Sequence, residues 1–578
     1  MKQVLSGNEA IARGAYEFGV RFASAYPGTP STEILEWISK AKEIDAEWAP
    51  NEKVAYEVAM GASMGGARSL VAMKHVGVNV AADPFMTSAY TGVNGGLVLI
   101  SADDPSMHSS QNEQDNRNFA KFAKIPMLEP SDSQEAKDFI GEALRISEEF
   151  DSPVMLRVTT RVCHAKSVVE MKERTEVPLK PYKRDMQKYV MLPTSARGRR
   201  KFVEERTNKL KEFGNSYHYN LEEINSIEIG IITSGISYQY AKEIYPKASI
   251  LKLALTNPLP EKKIKDFAKK VKKLMIIEEL DPFIEEQVRA MGIEVIGKDK
   301  FPNIGELSLD VLSEVEGEKL PEKKSYNIPM RPPVLCPGCP HRGIFYAFQR
   351  LRLTVMGDIG CYTLGAYPPL SSMDLCLCMG ASIGGALGMG KVLPEDQRKR
   401  VVAVIGDSTF IHSGITGLID AVYNHKGSTI VIVDNSITAM TGHQENPGSG
   451  KTLQGAESSK IDLVKLCKSI GVKHVKVINP LDFKKTMDTL KKELAYEGTS
   501  VIISKYECVI HNKSLLKKPL KVVEEICKEC GACFKVGCPA IEKKGKKANI
   551  NQTLCAGCTF CSQVCSFHAI VREGEEEI

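Results

Sequence analysis

Eight of the sixteen cysteines in this chain of 578 residues fall between Cys527 and Cys565. Cys527, Cys530, Cys533 and Cys538, the last followed by Pro539, are echoed by Cys555, Cys558, Cys561 and Cys565. Two copies of C-x2-C-x2-C…C hold a pair of [4Fe–4S] clusters: three thiolates wrap one face of each cubane and the fourth arrives from the other copy. The expected ligand sets are therefore Cys527, Cys530, Cys533 and Cys565 for one cluster, and Cys555, Cys558, Cys561 and Cys538 for the other. The first copy has four residues before its last cysteine, and Ser566 follows the second copy in place of proline. Neither departure removes a ligand, but the first loop must bulge. Structural zinc would use the same thiolates; duplication at cluster spacing favours iron–sulfur and one-electron chemistry.

A second constellation is built from hard oxygens. The apolar run Val401 to Ile405 leads into Gly406-Asp407-Ser408, and a second run, Ile430 to Val433, leads through Asp434 into Asn435, 28 residues after Asp407. A carboxylate at the carboxyl end of a parallel strand stands where such sheets bind ligands. Mg²⁺ prefers a few hard oxygens completed by phosphate oxygens, and Asp407, Asn435 and the carbonyl of Ile437 would serve. The pattern is similar to the thiamine diphosphate motif, with Ser408 where Gly is commoner and Asp434 before Asn435 where a second Asn is frequent. A Gly-Asp turn before a helix is also ordinary in α/β proteins. His412 falls either near the phosphates or in a hydrogen-bonded core position, and Gly-rich Met379 to Gly390 reads as close helix packing.

These groups need scaffolds. Ser69 to Met73 and Gly96 to Ile100 read as buried strands separated by helical stretches, which predicts a parallel, helix-covered sheet. Ile227 to Thr233 and Leu274 to Ile277 predict a second α/β unit, and the runs around Asp407 a third. Met1 to Phe22 reads as an amphipathic helix, and the basic segment around Arg197-Gly198-Arg199-Arg200 as a solvated connection with a helical arm as the alternative. Prolines between Pro321 and Pro333 mark a boundary, and beyond Lys513 the chain is short-patterned, basic and held by its clusters.

Composition excludes several classes. Net charge is +5 with 25% charged residues, which favours neither nucleic acid nor a membrane surface. No stretch approaches the eighteen apolar residues of a membrane span. Sixteen cysteines without a secretory segment predict a cytoplasmic protein with metal-bound or packed thiols.

Further motifs carry a family resemblance: Tyr26-Pro27-Gly28-Thr29-Pro30-Ser31, Lys74-His75-Val76-Gly77-Val78-Asn79, the run Asp103 to Glu113, Cys336-Pro337-Gly338-Cys339-Pro340-His341-Arg342 and Gly357-Asp358-Ile359-Gly360-Cys361. Over essentially the whole chain the sequence resembles the large subunits of the indolepyruvate:ferredoxin oxidoreductases, within the thiamine diphosphate-dependent 2-oxoacid:ferredoxin oxidoreductases. The resemblance implies a multidomain α/β protein. A pyrimidine-binding domain spans 1–180, a basic connection 181–215, a transketolase C-terminal-like α/β domain 216–325, a diphosphate- and Mg-binding domain 326–512, and a two-cluster ferredoxin-like domain 513–578. The two cofactor domains would be doubly wound parallel sheets.

It also implies that Glu52, nine residues before Gly61-Ala62, is the carboxylic acid that protonates the pyrimidine ring; a helix-terminal surface Glu is the competing reading. Thr29 would hydrogen-bond the substrate carboxylate, and His75 and Asn79 would line the pocket or pack. Cys336, Cys339, Cys361 and Cys508 match the order in which relatives ligate a third, proximal cluster, whereas Cys163, Cys376, Cys378 and Cys467 read as packed thiols. The implied reaction is oxidative decarboxylation of an aryl 2-oxoacid with coenzyme A as co-substrate, electrons leaving through the clusters to ferredoxin. A pyruvate or branched-chain oxidoreductase is the nearest alternative; a non-oxidative thiamine decarboxylase, or an electron-carrier subunit, is the alternative of another class. Family members pair with a smaller β subunit of about 200 residues in an (αβ)2 assembly. Lys543, Lys544, Lys546 and Lys547 would dock an acidic ferredoxin or form a solvated turn.

Overall fold

The computed structural model describes residues 1–317, 328–329, 332–424 and 427–572. The boundary expected between 325 and 326 lies outside the described residues. The chain is α/β throughout and forms two compact units, residues 1–326 and 327–578.

In the first unit a seven-stranded sheet runs in the order Leu255–Asn257, Met127–Leu128, Val154–Thr159, Leu97–Asp103, Ser69–Lys74, Phe22–Ala25, Asp45–Trp48. All its pairings are parallel except that of Leu255–Asn257. Ser69–Lys74, Leu97–Asp103 and Val154–Thr159 are buried along their whole lengths, as expected when helices cover both faces. Successive strands step outward on opposite sides of Phe22–Ala25, so strand order reverses between Phe22–Ala25 and Ser69–Lys74. The loops at that switch point are Tyr26 to Thr29 and the Lys74–His75 junction.

A four-stranded sheet, Lys273–Ile277, Ile229–Ser234, Ser249–Leu253, Glu222–Glu223, stands in the same unit. Its Ile232, Leu251 and Ile276 share one core with Val71, Leu99 and Met155 of the larger sheet. Leu255–Asn257 leaves this α/β region to pair with Met127–Leu128, so the two sheets are laced together by the chain itself.

Two local expectations differ from the structure. The first helix spans only Gly7–Glu17; Lys2–Ser6 is a strand paired antiparallel with Lys166–Glu170. The reason is a capping box: Ser6 and Glu9 satisfy each other's backbone N–H and fix the helix start. The basic segment contains a helix of 24 residues, Pro193–Ser216, opened by proline at its first turn. Arg206 on that helix is buried and donates to the carbonyls of Asp151 (2.9 Å) and Ala89 (3.0 Å), so this arm packs rather than solvates.

In the second unit a parallel six-stranded sheet runs Leu375–Cys376, Thr354–Gly357, Val401–Gly406, Thr429–Asp434, Ser500–Lys505, His474–Ile478. Its order reverses between Thr354–Gly357 and Val401–Gly406. The strands ending there deliver Asp358 and Asp407. Two small antiparallel ribbons, Leu520–Val522 with Ile570–Arg572 and Ile541–Lys544 with Lys547–Ile550, frame the cysteine-rich segment.

Candidate functional site

At the carboxyl edge of the first unit's sheet, Asn51 caps the helix Glu52–Met64 by accepting from Val54 N–H (2.9 Å). The cap holds Glu52 in the first turn, 7% exposed. Gly77, three residues past Lys74, is what lets the carboxylate in: a Cβ there would stand 2.8 Å from Glu52 Cγ and Oε1. Thr29 follows the strand Phe22–Ala25, and its carbonyl accepts from Ser109 Oγ at 3.2 Å. His75 is fully buried with Nε2 3.0 Å from Asn112 Oδ1. Asn79 and Gln114 exchange two hydrogen bonds (3.0 and 2.7 Å). The structure thus gathers Thr29, Glu52, His75 and Asn79 along one sheet edge.

Sequence reasoning passed over Lys74, which ends the strand Ser69–Lys74 and donates to the Ser109 carbonyl at 2.6 Å. It also passed over Asp104, whose carboxylate accepts from Ser109 N–H, Ser110 Oγ and Thr160 Oγ1 (2.9, 2.5 and 2.7 Å). These hydrogen bonds hold Asp104 below the usual carboxylate range against the opposing effect of its burial. Both residues stand inside quoted motifs; only their burial and partners single them out.

In the second unit Asp407 begins the helical turn after Val401–Gly406, with Gly406 buried before it and Ser408 9% exposed after it. Asp407 Oδ2 is buried without a hydrogen-bond partner. Burial, then the nearby Asp434 carboxylate, push Asp407 up to about 8. An orphaned carboxylate oxygen beside a second carboxylate is an arrangement that a divalent cation relieves. Asn435 and Ile437 follow the neighbouring strand, 7% and 2% exposed, and Asn435 Oδ1 accepts from Ile437 N–H at 3.3 Å. This donor set fits Mg²⁺. Ser408 Oγ accepts from Thr438 Oγ1 at 3.0 Å, tying the two strand ends together. His412 is buried with Nδ1 2.5 Å from Ser413 Oγ.

Asp358, quoted only within a motif, proves to be a loop anchor. Its carboxylate accepts from the N–H groups of Ile359, Gly380 and Ser382 (2.9, 2.9 and 3.2 Å). It thereby fixes the start of the glycine-rich helix Ala381–Val392 next to the Asp407 loop. Burial raises Asp358 to about 6 despite those bonds.

The cysteines fall into three neighbourhoods. Burial, then the charges of Cys336 and Cys508, raise Cys361 to about 11. Burial raises Cys339 to about 12, with Cys336 and Cys361 adding to the effect. Cys361 thus stands near Cys336, Cys339 and Cys508. Cys533 feels Cys565, Cys530 and Cys527, and Cys561 feels Cys558, Cys538, Cys555 and Cys533, so the fold brings the eight terminal cysteines together. Among the described residues no three Cys, His, Asp or Glu side chains close on one metal-ion position. Cysteine thiolates are the ligands that hold iron–sulfur clusters, so the donor chemistry fits such a group.

Two contacts connect the neighbourhoods. Cys508 N–H donates to the Asn435 carbonyl at 3.2 Å, joining the first group to the loop after Thr429–Asp434. Gly338, with φ +72°, brings the Cys336–Cys339 loop so close to the second terminal group that a Cβ there would stand 2.7 Å from Ala556 Cβ. Arg342 ties the same loop to the first terminal copy, donating to the carbonyls of Cys336 (3.0 Å) and Val536 (3.1 Å). Cys163 and Cys467 are buried, whereas Cys376 and Cys378 are exposed rather than packed.

Comparison with known proteins bears on the site as a whole. Residues 13–226 match the family described as "Pyruvate flavodoxin/ferredoxin oxidoreductase, thiamine diP-bdg", and residues 358–504 match "Thiamine pyrophosphate enzyme, C-terminal TPP binding domain". The indolepyruvate oxidoreductase subunit IorA of Archaeoglobus fulgidus is 42% identical over 98% of this chain and 97% of its own. The subunit of the same name from Pyrococcus horikoshii is 41% identical over 99% and 98%. A solved 2-oxoglutarate:ferredoxin oxidoreductase from Magnetococcus marinus is 15% identical with TM-score 0.45, over 55% of this chain and 65% of that one, a likeness too weak to carry an argument. With thiamine-binding domains in both units and relatives alike from end to end, the chain belongs to the family of the indolepyruvate oxidoreductase subunit IorA and is an oxidoreductase.

Proposed function

We propose that this chain, with a smaller partner chain of about 200 residues in an (αβ)2 assembly, oxidatively decarboxylates aryl 2-oxoacids with coenzyme A. Each turnover would convert the oxoacid and coenzyme A to the aryl-acetyl-CoA, CO2 and a proton, and two electrons would leave singly to ferredoxin. Thiamine diphosphate, when bound, supplies the electron sink that lets CO2 depart. Glu52 is the group that would hold a proton at the pyrimidine ring, pressed into place by Gly77 and the Asn51 cap. Thr29 would orient the substrate carboxylate. Asp407, Asn435 and the Ile437 carbonyl would hold Mg²⁺, with Gly406, Ser408 and His412 around the diphosphate.

The observation that carries the reading is the Cys508–Asn435 bond. It supports placing a cluster of Cys336, Cys339, Cys361 and Cys508 beside the proposed diphosphate site, where one-electron oxidation would need its first acceptor. From there the contact at Ala556 supports transfer to the cluster of Cys538, Cys555, Cys558 and Cys561, then to that of Cys527, Cys530, Cys533 and Cys565. Cys530 is exposed, and Lys528, Lys535, Lys543 and Lys546 are exposed in the same terminal segment. Over 513–578 the chain carries eleven lysines and arginines against eight glutamates, and the exposed lysines are the groups that would meet an acidic carrier. Thiols kept for metal fit the cytoplasm as the proposed location.

Anaerobic purification with the partner chain, iron quantification and assay with indolepyruvate, phenylpyruvate and pyruvate tests the reading. It expects about twelve irons per chain and fastest turnover of the aryl acids. About eight irons would remove the cluster of Cys336, and pyruvate turning over fastest would overturn the aryl assignment.

A further inference from the structure

Three lysines of the first unit are buried: Lys74, Lys137 and Lys252. Lys137 pairs with Glu17 at 2.7 Å, and Lys252 pairs with Glu135. Among the described residues Lys74 alone of the three has no carboxylate within 4 Å; its ammonium reaches only the carbonyl of Ser109 (2.6 Å) and the hydroxyl of the same residue (3.5 Å). Burying a charge without a carboxylate in direct contact is costly, Asp104 acts on Lys74 only at longer range, and an ammonium carries three donors. The position is specific as well. Lys74 ends one of the two strands at which the sheet order reverses, and the other feeds Gly28 and Thr29. Ligands of open parallel sheets bind outside the strand ends at such a switch point. A Cβ at Gly28 would lie 3.2 Å from Lys74 Cβ, and Ser109, which accepts from Lys74, itself donates to the Thr29 carbonyl. Glu52 lies against Gly77, on the short helix that Lys74 begins.

From this juxtaposition we infer that Lys74 is the cationic anchor of the substrate carboxylate, standing beside Thr29 at the switch point of the first unit's sheet. Thr29 offers a neutral donor, whereas Lys74 supplies the charge that selects an acid over its amide or ester. Burial pulls Lys74 down to about 8, with Asp104 offsetting part of the effect, so the group remains largely cationic near neutral pH. The inference rests on the proposed reaction for its substrate and names the residue that would recognise it. The same charge could meet a phosphate of coenzyme A, and the test separates the two anions.

The experiment compares the holoenzyme, isolated anaerobically with its partner, with Lys74→Gln and Lys74→Arg. Gln keeps a donor for the Ser109 carbonyl and removes the charge. Lys74→Gln is expected to raise the KM for phenylpyruvate about tenfold to a hundredfold, to leave that for coenzyme A unchanged and to retain all iron; Lys74→Arg recovers most of the affinity. Calorimetry supplies a readout independent of turnover: 3-phenylpropionate, an acid without the keto group, binds the parent and not Lys74→Gln, whereas neutral 3-phenylpropionamide does not distinguish them. An unchanged KM for the oxoacid, a raised KM for coenzyme A instead, or equal binding of 3-phenylpropionate by both proteins overturns the inference. If the parent decarboxylates no aryl oxoacid, the proposed reaction fails by itself. Calorimetry with propionate and glutarate then still decides whether Lys74 holds a carboxylate.

Discussion

Glu52 was singled out by its spacing to Gly61-Ala62, which the family resemblance supplied, whereas its environment was not readable. The Asn51 cap and the bare Cα of Gly77 are what press the carboxylate into the sheet edge. Replacing Glu52 by Gln preserves shape and removes the acid, so decarboxylation should fall more than about a hundredfold while iron content and the cluster absorbance stay at parent levels. Full activity would take Glu52 out of the mechanism. Lys74 was illegible for the opposite reason. A lysine within a motif carries no sign of its burial, and the want of a directly paired carboxylate is visible only after folding. Asp407 lay between these cases: the Gly-Asp turn could be read, but the orphaned Oδ2 that would suit a cation could not.

Among the elements, uninterrupted Val and Ile runs made the central strands readable to within a few residues, since a strand buried on both faces has no alternation to disguise it. The helix Pro193–Ser216 was less readable because its buried stripe is narrow and includes Arg206, a residue whose burial depends on carbonyls of distant loops. The lacing of the two sheets was invisible, and with it a buried ionic network. Arg157 bonds Asp103 and Glu129 (2.9 and 2.8 Å), while Arg117 bonds Asp115 and Glu278 (2.5 and 2.6 Å). Glu279 lines a small cavity in that network. Burial raises Glu279 to about 7, with Arg157 pulling the other way. The folded protein therefore holds a proton that the unfolded chain releases near pH 4.5, and stability from this group is greatest below that value and lost as pH rises towards 7. The change is on the order of 3 kcal/mol. Glu279→Gln should flatten that part of the pH–melting profile relative to the parent; parallel profiles would show that Glu279 does not titrate there.

At the scale of the whole molecule, the cysteine spacing announced two clusters, and the fold suggests the order proposed for them. The group with exposed Cys530, proposed as the exit, is framed by Lys528 and Lys546 around its cavity. Changing both lysines to glutamate should raise the KM for ferredoxin several-fold at low salt, shrink the salt dependence of its reduction, and leave reduction of a neutral dye unaltered. Equal loss with the dye would instead mean a damaged cluster.

The Cys508–Asn435 bond also bears on how the protein matures and ages. Iron held at Cys508 would steady the loop proposed to carry magnesium, and by reciprocity magnesium would steady the ligand of that iron. Loading of the two metals would then be cooperative, and so would their loss: chelating magnesium from the holoenzyme should hasten bleaching of one cluster in air and spare the other two. Bleaching that ignores the chelator would uncouple them. An enzyme wired in this way fails first where its electrons originate, so oxidative injury would silence catalysis before it could leave a half-active protein leaking electrons to oxygen.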